Sequence, residues 1–212
     1  MTIITAICAS PPLPNPGMAS VDLSLYMLFE RLRINAQLKF VYLYSPEERN
    51  PSLSVEKTQQ FNNWQQLPFL YECFRGRLSD IYKSDIVIFW GDFLHSRDYL
   101  YQVSKILKST YHLKEDRALD EVYEHLYFNN APKDVLSRCL LFGGTLIFNR
   151  VSDYQDKKYV CNLSNLLNSV NQIWMRDVYS FFSINRILNQ SNSLNNCLGV
   201  DCSLLLKDED IK

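Results

Sequence analysis

Arg176 stands between an apolar run, Ile173-Trp174-Met175, and the polar start Asp177-Val178-Tyr179-Ser180. That order reads as strand, cation and capped helix. An arginine at the C-terminal mouth of a strand, beside a helix N-terminus, can grip a phosphate or carboxylate with its planar fork of donors. Open α/β sheets bind ligands in the crevice outside the carboxyl ends of their strands. The same guanidinium serves equally well in a structural ion pair with a nearby carboxylate. Ser180 follows Asp177 by three residues, so its hydroxyl could line a ligand or only support the helix cap.

Other groups fall at comparable places. His95 lies in a strand-to-helix loop and is the histidine best placed for acid–base work. His112 and His125 sit in charged helical surroundings, where solvated rings are expected. Asp92, in Trp90-Gly91-Asp92-Phe93, could bind a sugar hydroxyl or cap the next helix. Gly143-Gly144-Thr145 ends another strand, and glycines there permit close approach of a ligand or tight strand-to-helix packing. Gly17 lies where phosphate loops occur, but Asn15-Pro16-Gly17-Met18 is neither a dinucleotide fingerprint nor a P-loop, so a simple turn is expected. Arg150 is a secondary anion candidate. No Ser-His-Asp order or Gly-x-Ser-x-Gly elbow supports hydrolase chemistry.

These groups need a scaffold, and apolar runs alternate with helical periodicity along the chain. Strands are expected at Thr2 to Ala9, Leu38 to Tyr44, Asp85 to Trp90, Cys139 to Phe142 and around Ile173. Helices are expected from Ser20 or Asp22, from about Pro68 to Tyr82, Arg97 to Lys108, within Tyr111 to Lys133, Leu163 to Val170 and Ser180 to Leu188. Residues 45–67 read as a polar insertion, Asn189 to Asn196 as a turn, and 207–212 as a frayed tail. The alternation predicts one α/β domain over residues 1–206, a mostly parallel sheet with helices on both faces.

The 212 residues are 47% hydrophobic and 21% charged, enough for a substantial core. A net charge of -1 offers no basic field for nucleic acid or anionic lipid. The six cysteines form no Cys-x-x-Cys pair, and no histidine lies near Cys197 and Cys202 to complete a zinc site. They read as buried free thiols, and no metal is implied. The N-terminus lacks the basic head of a signal peptide and no stretch spans a bilayer, which makes the cytoplasm the expected compartment.

The Arg-Asp-x-x-Ser helix start at Arg176 to Ser180, followed by Leu198-Gly199-Val200-Asp201-Cys202-Ser203-Leu204-Leu205-Leu206, resembles the polysaccharide pyruvyl transferase family. The resemblance implies an N-terminal Rossmann-like domain, one half of a glycosyltransferase-B-like enzyme. It implies transfer of a pyruvyl group from phosphoenolpyruvate, the donor substrate, to a hydroxyl of a sugar or lipid-linked oligosaccharide, with no cofactor. Arg176 would hold an anion, and Asn15, Gly17, Gly91, Asp92, Gly143, Gly144 and Ser180 would line the ligand side. Met18 replaces the family's acidic residue, with Asp22 loosely equivalent, and Trp90 and Asp92 replace glycines. Asp92 would repel an anionic donor. A second Rossmann-like domain or partner chain is implied for the donor, so the 212 residues alone are expected to be weakly active or inactive. A sugar-nucleotide glycosyltransferase half-domain and a non-catalytic assembly module are the alternatives.

Overall fold

Alternation along the first strand sends Ile4, Ala6 and Cys8 into one apolar layer and Ile7 and Ala9 into another. Ile88 and Trp90 against Val87 and Phe89 repeat the pattern on a later strand. A strand with two apolar faces must be covered on both, which is the condition of a parallel sheet inside an α/β domain.

The structure is a computed structural model and describes residues 1–9, 16–44, 67–146, 150–188, 196–207 and 210. The expected insertion therefore lies almost wholly outside the described residues, as do Asn15 and most of the turn before Asn196. The elements run β1 (Thr2–Ile7), α1 (Pro16–Leu32), β2 (Ala36–Tyr42), β3 (Tyr71–Cys73), α2 (Leu78–Ile81), β4 (Ile86–Trp90), α3 (Arg97–Thr110) and α4 (Glu115–Leu126). They continue with α5 (Lys133–Leu136), β5 (Cys139–Gly144), α6 (Lys157–Ser169), β6 (Gln172–Met175), α7 (Val178–Ile187) and β7 (Asn196–Leu198). Short 3-10 turns cover Val151–Gln155 and Cys202–Leu205.

The strand order is β3-β2-β1-β4-β5-β6-β7, and every neighbouring pair is parallel. The chain is thus a Rossmann-like α/β domain whose strand order reverses between β1 and β4. Val21, Leu25 and Phe29 of α1, together with Cys202, pack on one face of the sheet. Side chains of α3, α4, α6 and α7 pack on the other, where Leu100, Val103 and Leu107 give α3 a helical apolar stripe. Ser96, Asp156 and Asp177 cap α3, α6 and α7 by accepting from the third residue onward.

Several expectations require correction. The helix expected over 68–82 is strand β3 followed by the single-turn α2. Tyr71 to Cys73 pair with Phe40 to Tyr42, and Gly76 at φ +71° turns the chain before α2. Sheet pairing overrides local propensity there. Helix α1 begins at Pro16, so Gly17 lies in its first turn; proline suits that position because its missing N–H needs no partner there. The helix expected from Leu163 starts at Lys157, behind the Asp156 cap. Cys8, Cys139 and Cys202 are buried free thiols, whereas Cys161 and Cys197 are exposed. His125 is buried as well: its Nδ1–H donates to Glu121 O at 2.8 Å and its Nε2 accepts from the Gly76 N–H at 3.3 Å. His112 is exposed, as expected. Among the described residues no helix is long and apolar enough to cross a membrane.

Candidate functional site

Reversal of strand order leaves a natural crevice at the carboxyl ends of β1 and β4, and this chain fills it. The Trp90 indole stacks on Phe142 with centroids 5.0 Å apart, and its Nε1–H donates to Val21 O at 2.7 Å. Gly91 and Gly143 both have positive φ. A Cβ on Gly91 would stand 2.4 Å from Val21 Cγ1, and one on Gly143 would stand 2.2 Å from Cys202 Sγ. These two glycines therefore admit protein side chains. Gly144 differs, since an added Cβ would meet nothing closer than 3.8 Å.

Asp22 is sealed into this closed region at 3% exposure. It sits on the buried stripe of α1, one turn from Met18 and Leu25, and accepts from Tyr71 OH at 2.6 Å. The Cys8 thiol lies against the same carboxyl. Burial pushes the Asp22 carboxyl up to about 7, against the lowering effect of the Tyr71 and Cys8 hydrogen bonds.

A second group lies at the ends of β4 to β7. Arg176 ends β6, its backbone N–H donating to Gly144 O at 2.9 Å. Its guanidinium Nη1 is 3.2 Å from Asp201 Oδ2, with the two side chains 28% and 35% exposed. The other Asp201 oxygen accepts from the Ser203 N–H at 3.0 Å and the Ser203 hydroxyl at 2.8 Å. Gly91 at φ +64° and Asp92 at φ +51° bring the Asp92 backbone round to β5, where its carbonyl accepts from the Thr145 N–H at 2.7 Å. Asp92 is 8% exposed. Burial raises it to about 6; the Arg176 charge opposes that rise and the Asp201 charge adds to it. The helix-capping role open to Asp92 is taken by Ser96, whose Oγ accepts from the Tyr99 N–H.

Ser180 is spent inside the fold. Its hydroxyl donates to Asp177 Oδ2 at 2.7 Å and accepts from the Leu146 N–H at 2.7 Å, beside Thr145 Oγ1 at 3.1 Å. Burial works against the Asp177 charge, but hydrogen bonds from Ser180 and Thr145 hold that carboxyl below its ordinary value. His95 is also interior. Its Nε2 lies 2.9 Å from Leu126 O, and its own carbonyl accepts from Tyr127 OH at 3.1 Å and Tyr159 OH at 2.9 Å. Burial lowers the imidazole to about 4, which keeps it neutral near pH 7. With Asp92, Gly144, Thr145 and Met175 it lines a small cavity holding roughly a single water molecule. Gly17 is exposed on α1, and its carbonyl accepts from the Ser20 hydroxyl at 2.8 Å. Arg150 is exposed, its N–H bonded to Asp153 Oδ2.

The fold thus brings Asp92, Gly144 and Arg176 to one mouth and adds Asp201 to it. Sequence reasoning missed Asp201 as a site group, and missed Cys8, Tyr71 and Cys202 as the partners that close the crevice. Asp22 carried a legible signal, a carboxylate on the apolar stripe of a helix. Among the described residues no cluster of three or more His, Cys, Asp or Glu could hold a metal ion. The mouth holds the Arg176 guanidinium, already paired with Asp201, and the Asp92 carboxyl. Fold and site together define a Rossmann-like domain with a polar mouth beside its switch point. No protein-family model and no curated protein matches this chain.

Proposed function

We propose that the chain is the N-terminal, acceptor-side domain of a polysaccharide pyruvyl transferase-like enzyme. The reaction moves a pyruvyl group from phosphoenolpyruvate onto a sugar hydroxyl. One observation carries the reading: Arg176 and Asp201, one from each of the two stretches that resemble the family, meet as an ion pair at the strand mouth. In this reading Arg176 helps hold an anionic group, Gly144 leaves room beside it, and a sugar or lipid-linked oligosaccharide enters in the cytoplasm. The remaining donor contacts come from a second Rossmann-like domain or a partner chain.

A second reading, a non-catalytic assembly module, is favoured by apolar side chains around the same mouth. Val178, Tyr179 and Phe182 are exposed on α7, and Leu198, Val200 and Leu204 near β7. Exposed apolar groups gathered on one rim mark association surfaces. Saturation-transfer NMR against neutral sugars, phosphoenolpyruvate and uridine diphosphate sugars separates the readings. The transferase reading expects transfer to sugars, with at most weak transfer to phosphoenolpyruvate. Preferential transfer to the nucleotide moiety would replace it with the glycosyltransferase half-domain, and no transfer to any ligand would leave the assembly module.

A further inference from the structure

A sheet edge offers a row of backbone donors and acceptors to whatever meets it, and charge or proline on the strand normally guards it. The two edges of this sheet differ in that respect. Edge strand β3 carries Glu72, half exposed and 3.6 Å from the Arg77 guanidinium. At β7 the run Asn196-Cys197-Leu198-Gly199-Val200 has neither charge nor proline before Asp201.

The pairing of β7 decides which of its groups face outward. Cys197 stands opposite Trp174 in the parallel register, and the Gly199 N–H donates to Met175 O at 2.7 Å. The N–H and C=O of one strand residue point to the same side, and that side alternates along the chain. Cys197 and Gly199 therefore turn theirs to β6, and Asn196 and Leu198 turn theirs outward. Among the described residues no strand lies beyond β7 to receive them. The Asn196 Oδ1 is also buried with no donor among the described residues.

These outward groups complement themselves. About a two-fold axis at Cys197, perpendicular to the sheet, Asn196 of one copy faces Leu198 of the other, and each pair exchanges both backbone bonds. The two Cys197 residues then form the non-hydrogen-bonded pair on the axis, with Cα atoms about 4.5 Å apart. The same operation at β3, where the Phe74 N–H donates to Tyr42 O, would set Glu72 against Glu72. Like charges directly opposite repel, so β7 is the edge that accepts its twin.

Apolar area flanks the strand. Asn185 on α7 accepts from Asn196 Nδ2 at 3.3 Å, so the helical stripe Val178, Phe182, Asn185 runs along the β7 edge. On it Val178 and Phe182 are exposed, as is Leu198 on the strand. We infer that β7 is a homodimer interface, in which two copies pair their β7 strands antiparallel into one continuous sheet with both α7 stripes beside the axis. The inference concerns the sheet edge and holds for either reading of the mouth.

The test is sedimentation velocity of the full chain in a phosphine reductant, from about 1 to about 200 µM, the range in which interfaces of modest area associate. A dimer should form without any disulfide. After removal of the reductant, oxidised glutathione should convert two Cys197 thiols to a Cys197–Cys197 bond, itself being reduced to two glutathione thiols. A Cα separation of about 4.5 Å lies within disulfide reach. Peptide mass spectrometry identifies the bond, and Cys161, also exposed but on α6, is the control that should not link the copies. Cys197→Lys sets two ammonium groups opposite each other and should raise the dissociation constant about tenfold. Leu198→Pro removes an outward N–H that β6 does not use and should weaken the dimer similarly. The wild-type measurements decide the matter even if a variant folds poorly. A monomer throughout the range, a dimer linked through Cys161 and not Cys197, or a dimer left equally tight by Cys197→Lys overturns the assignment.

Discussion

Asp22 and Asp92 are two buried aspartates at the same edge of the sheet, and the protein treats them in opposite ways. Asp22, carried on α1, is met by Tyr71 OH and the Cys8 thiol, next to Val21, whose carbonyl accepts from the Trp90 indole. Asp92, at the end of β4, is 8% exposed and shares a mouth with a partly exposed ion pair. In the β1/β4 crevice, where Rossmann-like sheets commonly hold a dinucleotide, this chain has built a core. The charged side chains Asp92, Arg176 and Asp201 stand further along the edge, at β4–β7. What separates the two carboxylates is their neighbours: a phenol and a thiol for Asp22, the charges of Arg176 and Asp201 for Asp92.

The closed region should break most easily. Gly143→Ala places a Cβ against Cys202 Sγ at a backbone φ of +70°, so steric and conformational penalties combine. A loss of about 4 kcal/mol is expected in urea unfolding. Adding Cys202→Ala should recover the steric part only, and no recovery would show that Cys202 does not fill the gap.

Asp22→Asn sharpens the comparison through pH. The folded state holds this carboxyl protonated up to about 7, whereas an ordinary aspartate ionises near 3.8. The unfolded chain thus gives up its proton first as pH rises. The Asp22 contribution to stability should therefore be full at low pH and fall between about pH 4 and pH 7, while the buried His95 works in the opposite direction up to about pH 6.5. The variant should remove most of that slope, gaining on the order of 3 kcal/mol above pH 7. What remains in the variant should be the small difference between Asp92, whose contribution falls as pH rises to about 6, and the buried His95, whose contribution rises between about 4 and 6.5. A stability difference between variant and wild type that does not grow across this window would contradict the sealed environment assigned to Asp22.

Arg176→Ala should matter least to folding. Its ion pair with Asp201 is partly exposed, so a stability change within about 1 kcal/mol is expected. Its local effect is electrostatic. Without the opposing guanidinium, Asp92 should titrate higher than it does in the wild type, read by carbon-13 NMR of the side-chain carboxyl. An unmoved titration would separate Arg176 from the Asp92 mouth.

Much of the scaffold was legible in the chain itself, because local patterns carry their own cause. Apolar runs marked β1, β2, β4 and β5, and helical spacing marked α3 and α4. The Ile173-Trp174-Met175-Arg176-Asp177 order placed Arg176 at a strand end with Asp177 as a cap, as found. What the pattern lacked was partner identity. Tyr71 to Cys73 become a strand only because the edge of β2 is open to them. Asp201 reaches Arg176 only because β7 adds beside β6, and Gly143 receives Cys202 only because the chain after β7 turns back onto α1. Whether a carboxylate ends in a core or at a mouth depends on which strands stand next to one another. That order is set by long-range packing, which no local window of residues contains.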